Sequence, residues 1–270
     1  PRTPHHRDFG LAVGPYERVA LSAPSGFGKT TLCRMLAGYD RPQKGEILVD
    51  GAPLPKRGTC PVQLILQHPE TAVDPRMRMS QTLAEAGEVP QRLLDDLGIQ
   101  KRWLARFPHE LSGGELQRFC IARALALKPK VVIADESVSA LAVSIRAPII
   151  NLLLDLQRDM GIAFLFISHD MAVVERISHR VAVMFMGQIV EIGPRRAVFE
   201  NPQHPYTRKL IAAVPVADPA HRHGQRVLLQ DEMPGNIHKR GEAVERVTLR
   251  EVGPGHFVAP PRQDNAFSRL

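Results

Sequence analysis

The 270-residue sequence contains no run of about 18 apolar residues, so no stretch of it reads as a membrane-spanning helix. Cysteine is scarce: Cys33, Cys60 and Cys120 stand far apart and form no metal-ligand spacing, which points to a reduced, cytosolic setting. The net charge of +7 is not gathered into Lys/Arg blocks with interleaved aromatics. It therefore reads as solvated surface, and no nucleic-acid partner is expected. No signal-peptide pattern opens the chain, and the start at Pro1 rather than a methionine is what a piece of a longer polypeptide or a trimmed chain would show. What is present is an apolar fraction of 44%, enough for a sizeable core in one large domain or in one domain plus an extension.

The organising stretch runs from Ala23 to Thr31, Ala-Pro-Ser-Gly-Phe-Gly-Lys-Thr-Thr. It lies between an apolar run, Val19-Ala20-Leu21, that reads as a buried strand and a segment, Leu32 to Ala37, with helical apolar spacing. Strand, glycine turn and helix starting at Lys-Thr make a phosphate-binding loop. Backbone N–H groups around Gly26 and Gly28 turn inward there, and the helix N-terminus adds its unpaired N–H groups and dipole. Lys29 would reach the β- and γ-phosphates and the Thr30 hydroxyl would hold Mg²⁺. Ala23 stands where the motif has glycine: harmless if φ is negative there, strained if it is positive.

Farther along, Glu46 to Val49 reads as a strand, Asp50-Gly51 as a turn and Pro53 to Thr59 as loop. Val62 to Leu66 is a second strand with Gln67 at its carboxyl end, the edge that faces ligands in open parallel sheets, although such a glutamine is also an ordinary loop residue. From Asp74 to about Phe107 the pattern turns helical. Leu111-Ser112-Gly113-Gly114-Glu115 then opens a long helix, either a second anion site or a plain N-cap. The apolar run Val131 to Ala134 reads as a strand buried on both faces that delivers Asp135 and Glu136 to its end. Asp135 could bind Mg²⁺, and Glu136 could orient and deprotonate an attacking water. Ile145 to Met160 is an amphipathic helix, and the strand Ile162 to Ile167 ends in Ser168-His169-Asp170. His169 could contact a γ-phosphate or serve as a structural or capping residue. Val181 to Val190 reads as a hairpin turned at Gly187, with short helices at 195–200 and 204–214 and a partly β appendage beyond about Asp218.

Phosphate loop, strand-end glutamine, Leu-Ser-Gly-Gly, strand-end Asp-Glu and strand-end histidine, in that order, resemble the nucleotide-binding subunit of ATP-binding-cassette transporters over residues 10–215. Asn201-Pro202-Gln203-His204-Pro205-Tyr206-Thr207 is similar to the C-terminal motif of peptide and nickel importer ATPases. The run from Leu154 to Pro215, with the tail around Val252 to His256, looks closest to the C-terminal half of the two-cassette glutathione importer ATPases. The resemblance implies an α/β fold of the P-loop NTPase type: a mainly parallel sheet, an antiparallel β part, a helical subdomain and a C-terminal extension. Its expected boundaries are an ATP-binding core at 1–73 and 128–200, a helical subdomain at 74–127 and an extension at 201–270.

The same resemblance implies an ATPase that couples hydrolysis to uptake of glutathione or small peptides. Its alternatives are a weakened partner in an asymmetric cassette pair or an importer of nickel or another solute. Ser25, Gly26, Phe27, Gly28, Lys29, Thr30 and Thr31 would bind the phosphates of ATP. Thr30, Gln67 and Asp135 would hold Mg²⁺, Glu136 would be the general base, and His169 the γ-phosphate sensor. For Gln67 the attacking water is the alternative to Mg²⁺, and Gln67 would signal to the membrane subunit. Ser112, Gly113 and Gly114 would bind ATP held by a second cassette, homo- or heterodimeric or fused. Stretch 74–107 would dock a membrane permease served by a solute-binding protein, at the cytoplasmic face of the bacterial inner membrane. With no cysteine after Cys120, the iron–sulfur cluster of some relatives is not expected. Departures are Ala23, Ser137 in place of proline and Ala142 in place of aspartate. No adenine-stacking aromatic can be assigned. A DNA-repair or translation-factor relative would suit the charge, but these residues include neither a long coiled coil nor a basic linker to a second cassette.

Overall fold

A computed structural model of the chain describes residues 10–23, 28–136, 143–213 and 248–260, with side chains omitted at 143–146. In chain order the helices and strands are β1 (Arg18–Ser22), α1 (Lys29–Leu36), β2 (Leu48–Val49), β3 (Ala52–Pro53), β4 (Val62–Ile65), α2 (Met79–Ala84), α3 (Gln91–Asp96) and α4 (Gly113–Ala126). They continue with β5 (Val131–Asp135), α5 (Val143–Met160), β6 (Ala163–Ile167), α6 (Met171–Ile177), β7 (Arg180–Phe185), β8 (Gln188–Pro194), α7 (Arg195–Glu200), α8 (Pro205–Ala212), β9 (Arg250–Gly253) and β10 (His256–Val258). The described residues divide into two compact units, one drawn from 10–12, 19–23, 28, 168–213 and 248–260, the other from 13–18, 29–136 and 143–167.

In the unit built on Lys29–Ile167, β4, β5 and β6 run parallel, with Ile65 opposite Ala134 and Ala134 opposite Phe166. Every residue of β6 and all but the first of β5 are buried. That is why both are continuous apolar runs rather than alternating ones. Phe164 and Phe166, stacked at 5.1 Å, lie in this core with Phe119, Ile121 and Leu125 of α4. The helical stretch after Asp74 is real but shorter in its pieces than its apolar spacing suggests, α2 and α3 each spanning 6 residues. The segment around Ala52–Pro53, expected as loop, instead pairs with β2 as a hairpin. Asp50 and Gly51 both adopt positive φ (51° and 75°), the pair of left-handed residues that a tight two-residue hairpin turn needs.

In the other unit Val19–Ser22 of β1 pairs in parallel with β7, and β7, β8, β10 and β9 follow as antiparallel neighbours. The expected hairpin at 181–190 is therefore β7–β8, and the partly β tail is β9–β10. Ala20, Val181, Val183, Phe185, Val198 and Tyr206 form its core. One acidic side chain of this unit has no exposed surface. Glu191 of β8, fully buried, accepts the backbone N–H groups of Gln203 (2.8 Å) and His204 (2.9 Å) and faces His256 Nε2 at 2.8 Å. A single carboxylate thus anchors both the Asn201–Thr207 motif and the β9–β10 tail to β8. Gly193 makes room, because a Cβ there would lie 2.9 Å from the His256 ring.

Replacing Glu191 by Ala leaves two buried N–H donors and an imidazole without their acceptor, and unfolding in urea should show a loss of about 3 kcal/mol or more. Burial pushes the His204 imidazole down from 6.5 to about 4, against the opposing pull of Glu191. The unfolded chain therefore takes up this proton first, so stability should fall as pH drops from 6.5 toward 4. His204→Asn should flatten that part of a stability-against-pH curve, and an unchanged slope would exclude His204 as its source.

Candidate functional site

The site lies in the unit built on Lys29–Ile167, where the first turn of α1 meets the carboxyl end of β5. Gly28 enters α1 at φ 85°, a conformation that excludes most side chains and lets the chain turn into the helix. Lys29, Thr30 and Cys33 follow at positions that share a helix face. β5 ends in Asp135, and Glu136 leaves it at φ 43° with its N–H bonded to the Ile167 carbonyl at 3.0 Å. A glutamate held in the left-handed region is strained by about 1–2 kcal/mol, the kind of backbone found where a side chain must be aimed.

Contacts join these residues directly. Lys29 Nζ lies 3.0 Å from Glu136 Oε1, with both side chains under one tenth exposed. The Thr30 hydroxyl donates to Asp135 Oδ2 at 3.4 Å. The buried Cys33 thiol also donates to Asp135, and burial, followed by the carboxylate's charge, pushes that thiol's pKa far up. Burial raises the Asp135 carboxyl above its ordinary range, and the Glu136 charge adds to that. Thr30, Lys29 and Cys33 oppose the shift. The arrangement is a pair of adjacent acids, one held by an ammonium and one by two protic donors, under a helix N-terminus.

The predicted site residues are only partly gathered here. Lys29, Thr30, Asp135 and Glu136 are brought together, and Thr31 follows exposed in the first turn of α1. Ser25, Gly26 and Phe27, like Ser137 and Ala142, lie outside the described residues. Ala23 is buried and is not among the positive-φ residues (Tyr16, Asp50, Lys128, Glu136 and Met186 besides glycines), so alanine brings no left-handed strain there. Gln67 is half-buried just past β4. Because Ile65 pairs with Ala134, Gln67 and Glu136 leave parallel neighbouring strands two residues beyond the same rung. Ser112 and Gly113 are exposed where α4 begins. Ser112 caps the helix by accepting from Glu115 N–H at 3.3 Å, and the Glu115 carboxylate returns to Ser112 N–H at 2.7 Å. This reciprocal box, led by the backbone bond, holds the Glu115 carboxyl below its usual range. His169 is exposed and belongs to the other unit, one residue before the Asp170 cap of α6. Cys33 was missed by sequence reasoning, although its spacing from Thr30 in a helix is the signal that would have found it.

Hard oxygen donors at Asp135 and Thr30 suit Mg²⁺, and the α1 N-terminus with Lys29 suits a polyphosphate.

Residues 6–139 match the family described as "ABC transporter", and residues 190–241 match "Oligopeptide/dipeptide transporter, C-terminal region". The chain belongs to the ABC transporter family. This cassette is 55% identical over 282 residues to the glutathione import ATP-binding protein GsiA of Salmonella paratyphi A, covering 97% of this chain and 45% of that protein. It is 56% identical over 274 residues to GsiA of Escherichia coli K12, covering 94% and 44%. The chain thus spans less than half the length of these curated relatives. Among solved structures, cbiO1 of Clostridium perfringens, part of the ABC transporter complex cbiONQ, superimposes with a TM-score of 0.63 at 24% identity, covering 73% of this chain and 84% of that one. A dimeric bacterial ABC transporter cassette gives 0.62 at 23% identity, covering 71% and 91%. These likenesses show the fold, a P-loop α/β cassette.

Removing one partner of the Lys29–Glu136 pair takes a 3.0 Å counter-charge away from a buried group. Lys29→Met should lower stability to urea by about 3–5 kcal/mol, and the double variant Lys29→Met/Glu136→Gln should recover most of that loss. Equal losses in the single and double variants would show that the loss does not come from an uncompensated Glu136 charge.

Proposed function

We propose that this cassette hydrolyses ATP to ADP and phosphate and so powers the uptake of peptide-class solutes, glutathione among them. The observation that carries this reading is the convergence of Lys29, Thr30, Asp135 and Glu136 at the head of α1. The solute class is supported by the match at 190–241 and by the printed names of the relatives.

The residues divide the work by their chemistry. Asp135 and Thr30 would hold Mg²⁺, which supplies charge neutralisation on the phosphate oxygens. Lys29 is the group whose partner must change. A bound triphosphate offers its ammonium a stronger anion than Glu136, so binding draws Lys29 to the phosphates and releases the Glu136 carboxylate. That carboxylate then accepts a proton from the attacking water as the new P–O bond forms and ADP departs. Substrate arrival thereby uncovers the base, which limits misdirected proton transfer in the empty cassette. Gln67, at the same sheet edge as Glu136, is proposed to contact the metal or the water. His169 and the Ser112–Gly114 turn keep their proposed roles on sequence order. The Ser112–Gly114 turn would complete the ATP site of a second cassette.

The remaining assignments belong to the same proposal: a helical subdomain at 74–127 that docks a membrane permease, and a peripheral position on the membrane's inner face. No helix among the described residues is long and apolar enough to cross a membrane.

Glu136→Gln should lower hydrolysis by about 10²–10⁴-fold while leaving ATP affinity within a few-fold, as read by phosphate release and calorimetry. Wild-type turnover per chain should rise with chain concentration, because a shared site needs two cassettes. A wild-type rate no higher than that of Glu136→Gln, at every concentration, would end the enzyme reading.

A further inference from the structure

Part of the positive charge that is scattered along the sequence is drawn together where α1 ends. Gly38 leaves the helix at φ 79°, and the Tyr39 N–H returns to the Arg34 carbonyl at 2.8 Å. This fixes Tyr39 beside the helix end with 64% of its surface exposed. The segment that follows the β2–β3 hairpin comes back to the same place: a Cβ on Gly38 would lie 3.6 Å from Leu54 Cδ1 and 3.8 Å from Cys60 Sγ. The hairpin tip is held by the Asp50–Lys130 ion pair. Within the hairpin Leu48 is opposite Pro53, so the two share a face, and both are exposed, Leu48 by 47%. Four exposed cations flank it: Arg41 and Lys44 before, Lys56 and Arg57 after. Arg34 offsets Asp40 at 2.7 Å and Lys130 offsets Asp50, and Glu46 is the only other acid from 38 to 60.

An apolar pair turned outward between cations, beside an exposed tyrosine, has the makeup of a surface that rests on lipid. Leucine and a tyrosine ring suit the boundary between headgroups and acyl chains, and Lys and Arg suit anionic headgroups. We propose that Tyr39, the Leu48–Pro53 pair and the cations Arg41, Lys44, Lys56 and Arg57 form a surface that binds anionic lipid. The inference rests on the proposed peripheral position at the membrane and goes beyond it by naming the contact. A second copy docked through the same face would bring cations against cations. The inner loops of a membrane protein carry an excess of Lys and Arg, so they repel this face as well. A single nucleic-acid strand is met by stacked aromatics, whereas the paired apolar element here is aliphatic. The surface lies at the opposite end of α1 from Lys29, about 12 Å along an 8-residue helix, so lipid and nucleotide have separate places.

The test is co-sedimentation of the full chain, without nucleotide, on vesicles of phosphatidylglycerol and phosphatidylcholine in equal parts and on vesicles of phosphatidylcholine alone. The wild type should bind the anionic vesicles about tenfold tighter or more and lose that advantage as salt is raised. Lys56→Gln/Arg57→Gln should weaken this binding about tenfold, while Lys101→Gln/Arg102→Gln, which removes two exposed cations elsewhere in the same unit, should leave it within about twofold. In Leu48→Trp, emission should move to the blue on anionic vesicles, a shift that the buried Trp103 of the wild type does not give. Absent or equal binding to the two kinds of vesicle overturns the lipid surface, as does equal weakening by the two double variants. An unmoved Leu48→Trp emission overturns it too, and if Lys56→Gln/Arg57→Gln then weakens binding of single-stranded DNA, the face belongs to nucleic acid. If Lys56→Gln/Arg57→Gln does not fold, Lys44→Gln takes its place with the same outcomes. No nucleotide enters the assay, so failed lipid binding leaves the hydrolysis reading standing, and failed hydrolysis leaves the vesicle result standing.

Discussion

The Lys29–Glu136 ion pair is the constraint on which this cassette's site depends. A buried ammonium and a buried carboxylate offset each other's loss of hydration at 3.0 Å, which makes the two groups costly to separate. The pair therefore fixes where α1 starts relative to the end of β5. It also accounts for Glu136 being held at φ 43° rather than continuing the strand. Asp135, one residue earlier, completes the arrangement with bonds from Thr30 and Cys33.

A second buried carboxylate organises the other unit on the same principle. Glu191 has no exposed surface, and its oxygens are met by backbone N–H groups and a histidine rather than by a lysine. Hydrogen bonds from a motif twelve residues downstream and from a tail 65 residues downstream converge on it, alongside the apolar packing of Tyr206 and Ala259 in the same unit. The first carboxylate faces a partner that a substrate can compete for. The second faces partners that nothing in the proposed chemistry needs to move. In the proposed chemistry a buried carboxyl group serves reactivity in one place, and in the other it serves assembly.

Much of this was legible in the residues. The fold class follows from strands that are apolar throughout, such as Val131 to Ala134, set between helical patterns. Lys-Thr at the head of a helix and Asp135-Glu136 at a strand end marked residues that the structure brings together. The hairpin at Ala52–Pro53 was not legible, because two residues carry too little alternation to register and a proline argues against a strand. Glu191 was equally hidden. A glutamate between Val190 and Ile192 reads as a solvent-facing strand position, and only the long-range return of His256 makes it a core residue.

Local order in the chain was enough to determine which elements form, which residue types stand at their ends, and the family these ends resemble. Patterns of burial and turn chemistry act over a few residues, so a sequence carries them openly. Pairing partners were decided only by the tertiary structure: Lys29 with Glu136, Cys33 with Asp135, the carbonyls of Leu66, Pro69 and Ala72 with Gln117, Cys120 and Arg123 of α4, and two downstream segments with Glu191. Each joins residues whose separation along the chain is set by loops, while their separation in space is set by strand register and helix packing. No local pattern encodes that geometry.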